Sequence, residues 1–477
     1  MTDAGANLPR STVGIYGALG FPLALLGYPL SVWLPRAYGT DVGIELYLIG
    51  AIISAAAIFD AITDPLIGFA SDRYRSRWGR RKSWISIGLP ILTLATWMLL
   101  SPESTATAIY LAIWYIALRV GSTLVLVPYG AWGAELSSDY HDRTRLNSSR
   151  QKWILLGLIG AALIPAGVEL INDGASVPAL EVLDAFAWAV LLTLPLICAL
   201  LLIKVPEPPA SLGEGRTPLF RSLRLMWQNG LFRRVVTIEL VITGGEYFTN
   251  TLSLFFMQDF IGIRSPGQLY LIYFTTGLLA MPVWDLIASR WGKHRSLACA
   301  MVVVSIVSVS IFFLNQGDIL AFYILFAAKG FCFGAFAYLP LAMLADVVDI
   351  DTMRSGDART GGYFAVHGFM TKCAASFGGL SLPLLALAGY SASSGMQNDD
   401  NALLWLGILY ALVPTTLFVF AFWLTWTWPL SAARHARMRA RHERTTDKRA
   451  ASKLNMDDNR VGGYTGAPKG NETRESK

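Results

Sequence analysis

Two carboxylates, Asp60 and Asp64, stand four residues apart in the stretch FDAITDPLIGFASDRYRSRWGRRK, Phe59 to Lys82. On a helix that spacing puts both on one face. Two close carboxylates can do either of two kinds of chemistry. Together with nearby hydroxyls they supply the several oxygens a sodium ion needs. Alternatively each raises the other's pKa, so that the pair takes up a proton. The plainer reading is that each pairs with a basic residue elsewhere. The surroundings favour a shared site, because the segment is otherwise apolar, and charged groups in such segments usually face a cavity or an ion pathway.

Other charged residues fall in equally apolar surroundings. Lys372 lies well inside one such stretch and needs a partner, for which the two aspartates are the obvious candidates. Glu246 is charged and mid-segment, which makes it a candidate for solute contact, with the polar and aromatic residues Tyr16, Tyr129, Tyr247, Asn250 and Trp284 as further candidates. In a membrane core such aromatics more often serve packing. Five histidines are too few and too dispersed for a metal cluster, and Cys198, Cys299, Cys332 and Cys373 have neither metal-ligand nor disulfide spacing. GGEYF and GFCFG suit close helix packing rather than phosphate binding. The residues thus predict no enzyme, no resident cofactor and no nucleotide-driven step, so energy would come from an ion or solute gradient.

The elements that must position these residues are membrane helices. The chain is 54% hydrophobic and only 15% charged over 477 residues, too apolar for an ordinary soluble protein. Twelve spans are predicted: Val13 to Pro35 (kinked by Pro22, Gly27 and Pro29), Gly43 to Ala70, Trp84 to Leu100, Thr107 to Trp132, Ile154 to Ile171 and Ala185 to Ile203, then Val235 to Ile261, Leu269 to Ser289, Leu297 to Leu314, Ile319 to Val347, Gly362 to Gly389 and Ala402 to Pro429. The layout gives an N-terminal segment 1–12, a six-helix half 13–203, a polar linker 204–234, a second six-helix half 235–430 and a basic tail 431–477 of disordered composition. MTDAGANLPR lacks the arrangement of a signal peptide, so the first apolar segment is expected to remain as a span.

The net charge of +6 comes from Lys and Arg in alternate loops and the tail, which is the positive-inside pattern and not a nucleic-acid patch. It places both termini in the cytoplasm. The basic tail is an ordinary positive-inside flank, with anionic lipid as a further contact. The tetrapeptide SRWG recurs at Ser76–Gly79 and Ser289–Gly292, each time after the second span of a half and each time followed by bases. Equivalent placement points to parallel repeats, an arrangement that puts the substrate near mid-membrane between the halves. Asp72, Arg73, Arg77, Arg80 and Arg81 in the first loop, and Asp346, Asp349 and Arg359 around its counterpart, can form ion pairs across the halves in one state and release them in another.

DAITDPLIGFASDRYRSRWGRRK, VPYGAWGAELSSDYHDRTRL and LADVVDIDTMRSGDARTGGYFAVHGFMTK together resemble the glycoside–pentoside–hexuronide:cation symporters, the melibiose-permease-like branch of the major facilitator superfamily. The resemblance covers nearly the whole membrane portion. It implies an all-α fold of twelve transmembrane helices in two pseudo-symmetric six-helix halves. It also implies that Asp60 and Asp64, with Thr63 and Thr123, form the cation site for Na+ or H+, and that Arg150 and Lys372 line the cavity. The family's two sugar-binding aspartates fall at Gly20 and Leu126 in this chain, and a nearby aromatic falls at Gly130, which removes two hydroxyl acceptors. The expected function is cation-coupled symport of a small organic solute, a sugar or glycoside by resemblance, by a monomer in the inner membrane. A lysolipid or similar amphipathic solute is the alternative, and a non-transporting sensor on the same fold is another.

Overall fold

The computed structural model describes residues 8–74, 76, 79–137, 139–172, 177–207, 226–355, 360–393 and 398–430. Most of the linker and the whole basic tail lie outside the described residues. Among the described residues the fold is helical, with no strand and one isolated bridge between Ser76 and Gly79.

Helices α1 (Arg10–Ala18) and α2 (Gly20–Arg36) make the first span; α3 (Leu46–Arg73), α4 (Arg80–Leu100), α5 (Ala108–Glu135), α6 (Tyr140–Ile171) and α7 (Ala179–Lys204) follow. The second set is α8 (Gly230–Phe255), α9 (Pro266–Trp291), α10 (Lys293–Phe312), α11 (Ile319–Phe336) continued by α12 (Leu339–Ser355), α13 (Thr360–Leu387), and α14 (Asp400–Gly407) continued by α15 (Val413–Trp426). Eleven helical segments among the described residues are long and apolar enough to cross a membrane. The remaining predicted span, the seventh, is α8, which is long enough but carries Arg233, Arg234, Glu239 and Glu246 and so falls short on composition. It packs against α2, α13 and α15 inside the bundle.

Prolines set the breaks. Ala18 ends α1 four residues before Pro22, and Phe336 ends α11 four residues before Pro340. A proline ring displaces the carbonyl four residues earlier and offers no N–H, so the helix divides there. Pro29 and Pro35, by contrast, are carried inside α2 without a break. The polar segment before the fifth span also becomes helix, starting at Tyr140 with the Asp139 side chain accepting from the N–H of Asp142. Arg150 therefore lies within α6 rather than at the beginning of a span.

Successive spans alternate in direction, so the bundle has a basic end, where α3 finishes and α4 starts, and a far end, where α2 and α8 finish. The second copy of SRWG and the described residues of the first, Ser76 and Gly79, sit at the basic end. Their glycines, Gly79 at φ +109° and Gly292 at φ +90°, have the same positive-φ backbone and immediately precede α4 and α10. One apolar core fills the first six spans and continues into the far-end parts of the last six, through Phe256, Tyr270, Leu406 and Tyr410. A second fills the basic-end parts of the last six, around Phe232, Trp284, Val347 and Trp428. The apolar joining of the two sets thus lies toward the far end.

Candidate cation and solute site

Asp60 and Asp64 lie past the middle of α3, on the side that packs against α5 and α13. Asp60 is buried and fully engaged. Thr123 of α5 donates to its Oδ1 at 2.8 Å, and Lys372 of α13 places Nζ 3.0 Å from its Oδ2. The same Nζ lies 2.5 Å from Asp64 Oδ2, so one ammonium bridges both carboxylates. Asp64 Oδ1 is buried without a partner. Four of the residues named from the sequence, Asp60, Asp64, Thr123 and Lys372, therefore meet at one point. Thr63 does not join them. Its hydroxyl donates to the backbone carbonyl of Asp60 within its own helix at 3.2 Å.

One member of this cluster was missed. Arg119 of α5 has Nη1 3.7 Å from Asp60 Oδ2 and donates from Nη2 to Tyr115 Oη at 3.1 Å. The signal was there, since an arginine in YIALRVGST interrupts an apolar run just as Asp60 does. The group as a whole sets two carboxylates against an ammonium and a guanidinium. Removing one partner of a buried pair of this kind typically costs about 3–5 kcal/mol, because it strands the other charge. Among the described residues no three His, Cys, Asp or Glu side chains gather to hold a metal ion. What the site offers a cation is two carboxylates and the Thr123 hydroxyl.

Several expected solute contacts have other duties. Tyr16 and Tyr129 are buried, stack at 4.6 Å, and each donates its hydroxyl to the other's backbone carbonyl. Trp284 is buried and donates to the carbonyl of Phe331 at 2.8 Å. Glu246 is buried inside the second helix set, accepting from Tyr273 Oη at 3.0 Å, and Lys329, likewise buried and unforeseen, stands over the Tyr410 ring at 5.2 Å. The hydroxyls of Tyr16 and Tyr129 and the indole N–H of Trp284 are thus spent on backbone carbonyls, and Glu246 holds Tyr273 through one carboxylate oxygen. At Gly20 a side chain would meet the Arg150 carbonyl at 2.9 Å, so the position serves the α2–α6 crossing. Leu126, Asn250, Arg150 and Tyr247 remain half-buried, with the Arg150 guanidinium 5.3 Å from the Tyr129 ring centre. A Cβ at Gly130 would meet nothing within 4 Å.

At the basic end the charged residues pair inside one helix set. Arg80 and Arg81 reach Glu135 Oε1 at 2.6 and 2.7 Å, and Glu207 accepts from the backbone N–H of Arg81 at 2.5 Å. Arg73 lies over the Phe69 ring. The counterpart pair is Lys293 with Asp346 at 2.7 Å, and Asp349 is exposed. Arg80 and Lys293 each follow an SRWG glycine, and Glu135 and Asp346 each lie on the fourth span of their set, so the repeat extends to its ion pairs. In this state the ion pairs of Arg80, Arg81 and Lys293 described above tie each loop to its own set. Arg77, Arg359 and the side chain of Asp72 lie outside the described residues.

Besides Lys372 with Asp60 and Asp64, the described residues form a second charged bridge between the sets at the far end, where the sequence had suggested none. Arg36 pairs with Asp259, which also accepts from Tyr390. Buried Glu169 of α6 accepts from the N–H groups of Gly267 at 2.6 Å and Gln268 at 3.3 Å, occupying the positive N-terminus of α9. Gly50 of α3 and Gly379 of α13 cross so closely that a Cβ on Gly50 would lie 2.3 Å from the Gly379 carbonyl.

The chain has relatives of known kind in both sequence and fold. The chain is 26% identical over 402 residues to the inner membrane symporter YicJ of Escherichia coli, covering 80% of this chain and 83% of that one. It is 24% identical over 462 residues to the sodium-dependent lysophosphatidylcholine symporter 1-B of Danio rerio, covering 87% and 86%. Its fold matches a bacterial homologue of the human lysosomal transporter Spinster, solved in an inward-facing and occupied conformation, with a TM-score of 0.64, 11% identity and coverage of 90% of this chain and 99% of that one. Residues 15–432 match the model of the MFS/sugar transport protein family, and the chain is a multi-pass membrane protein belonging to that family.

Proposed function

We propose that the chain is a secondary transporter that moves a small organic solute together with a cation, Na+ or H+, and that Asp60, Asp64 and Thr123 form its coupling site. The observation that carries this reading is the single ammonium of Lys372 bridging both carboxylates at mid-depth. A cation arriving at Asp64 must displace that ammonium, and only a released Lys372 is free to touch a solute. Binding of the two is then linked, because each changes the free energy of the other's site.

A sugar or glycoside is the first solute class, in keeping with the family. An amphipathic solute such as a lysolipid is the second, favoured by Gly20 and Leu126 where hydroxyl acceptors would be needed and by the lysophosphatidylcholine symporter among the relatives. The basic end is cytoplasmic by the positive-inside rule, in an inner membrane. On that assignment, the contacts of Arg36–Asp259–Tyr390, Glu169 and Gly50–Gly379 close the outside end of the bundle. One chain contains a complete site, so a monomer suffices.

A thermal-shift screen of purified protein against sugars and lysolipids, with and without sodium or at two proton concentrations, tests the reading. Stabilisation by a solute should grow when the cation is supplied. A solute whose stabilisation is indifferent to every cation would contradict coupled binding.

A further inference from the structure

The cation site leaves the guanidinium of Arg119 largely unused. Asp60 does not need it, since Thr123 and Lys372 already hold both carboxylate oxygens. Its Nη1 is 3.7 Å from Asp60 Oδ2, which is an ion pair without a hydrogen bond, and its Nε is buried with no acceptor at all. Only Nη2 has a partner, Tyr115 Oη. A guanidinium keeps its charge in any protein and carries five N–H donors in a rigid fork suited to carboxylate or phosphate. A buried Nε left without an acceptor on a half-buried arginine is costly, and mid-depth between the helix sets is where a solute would be.

Charge balance gives the same answer. Asp60 and Asp64 are already matched by Lys372 and Arg119, so the group is neutral before any coupling ion arrives. One added cation leaves an excess positive charge, which closure away from water penalises. A neutral solute does nothing to that excess, whereas an anionic one cancels it. Without Arg119 the balance would be the reverse, and the cation with a neutral solute would suffice.

We propose that Arg119 is the specificity-determining residue of the solute site, and that it holds an acidic group, a carboxylate or a phosphate, on the solute that accompanies the cation. The proposal rests on Asp60 and Asp64 being the coupling site. It fits an acidic sugar and a phosphate-bearing amphiphile alike.

Matched solutes test it. Purified full-length protein in sodium buffer is titrated by thermal shift with glucose against glucuronate and glucose 6-phosphate, and with monoacylglycerol against lysophosphatidate. The acidic member of a pair should stabilise at the lower concentration, and which acid does so separates the two sources. Arg119→Gln should raise the half-maximal concentration of that acid about 10- to 100-fold, while Arg119→Lys raises it less. The unliganded melting temperature of each variant scores folding. Stabilisation confined to neutral members, or an acid bound equally by wild type and a folded Arg119→Gln, overturns the proposal. Failure of the coupling site would be seen elsewhere, as cation dependence that survives Asp60→Asn.

Discussion

Of the two threonines nearest Asp60, only Thr123 aims its hydroxyl at the carboxylate; Thr63 spends its own on the helix backbone. That difference is measurable. Thr123→Val removes a hydrogen bond to a charged group, worth about 1.5–3 kcal/mol, so the cation concentration giving half-maximal stimulation of uptake should rise about tenfold or more. Thr63→Val should leave that concentration essentially unchanged. Equal effects in the two variants would mean that the cation rearranges the site. At this scale the sequence was legible wherever a charge interrupts an apolar run, as for Asp60, Asp64 and Lys372. The same rule applied to Arg119 and Lys329 would have found them too. Which way a hydroxyl or an aromatic points was not legible, because a tyrosine lining a cavity and one bonded to a neighbouring backbone have the same sequence context.

Among elements, the SRWG loops show how much a short motif can specify. Gly79 has φ +109°, and a Cβ there would lie 1.8 Å from Glu207 Oε2. Gly79→Ala should cost more than about 1 kcal/mol from backbone strain alone, and it should also dislodge Glu207, lowering the melting temperature. The loop's ion pairs add a pH signature. Burial pushes the Glu135 carboxyl up, but hydrogen bonds and charge from Arg81 and Arg80 outweigh it and hold the group below its ordinary value of 4.5. A carboxylate with a depressed folded value contributes stability that is complete above the unfolded value and is lost as pH falls through the folded one. Thermal unfolding followed from neutral pH to below about pH 4.3 should therefore show an acid-side loss that is reduced in Glu135→Gln. Helix positions were readable because hydropathy and proline dictate them, down to the break ahead of Pro22, whereas the break ahead of Pro340 divides a span that had been expected to run unbroken from Ile319 to Val347. The seventh span was readable only as a long segment, since its charges become intelligible once its neighbours are known.

For the whole molecule, the direction in which the bundle is closed depends on contacts the sequence does not announce. Arg36 and Asp259 are separated by 223 positions, and nothing local to either one names the other. The same is true of Gly50 and Gly379, whose meeting depends on how α3 and α13 cross. The two states of a transporter differ by little free energy, so one lost bridge should shift the population. In a background without the four native cysteines, spin labels at Glu45 and Ser393 report the far end. Arg36→Ala should enrich the longer distances between them, and an unchanged distribution would mean that this bridge does not hold the closure.

The claim on which the rest depends is that the Asp60–Asp64 pair couples a cation gradient to solute movement. Proteoliposomes given an imposed sodium or pH gradient and a solute identified by thermal shift measure this directly. Wild type should accumulate the solute above its external concentration, and both Asp60→Asn and Asp64→Asn should at most equilibrate it. Accumulation at the wild-type level in both folded variants would contradict the account.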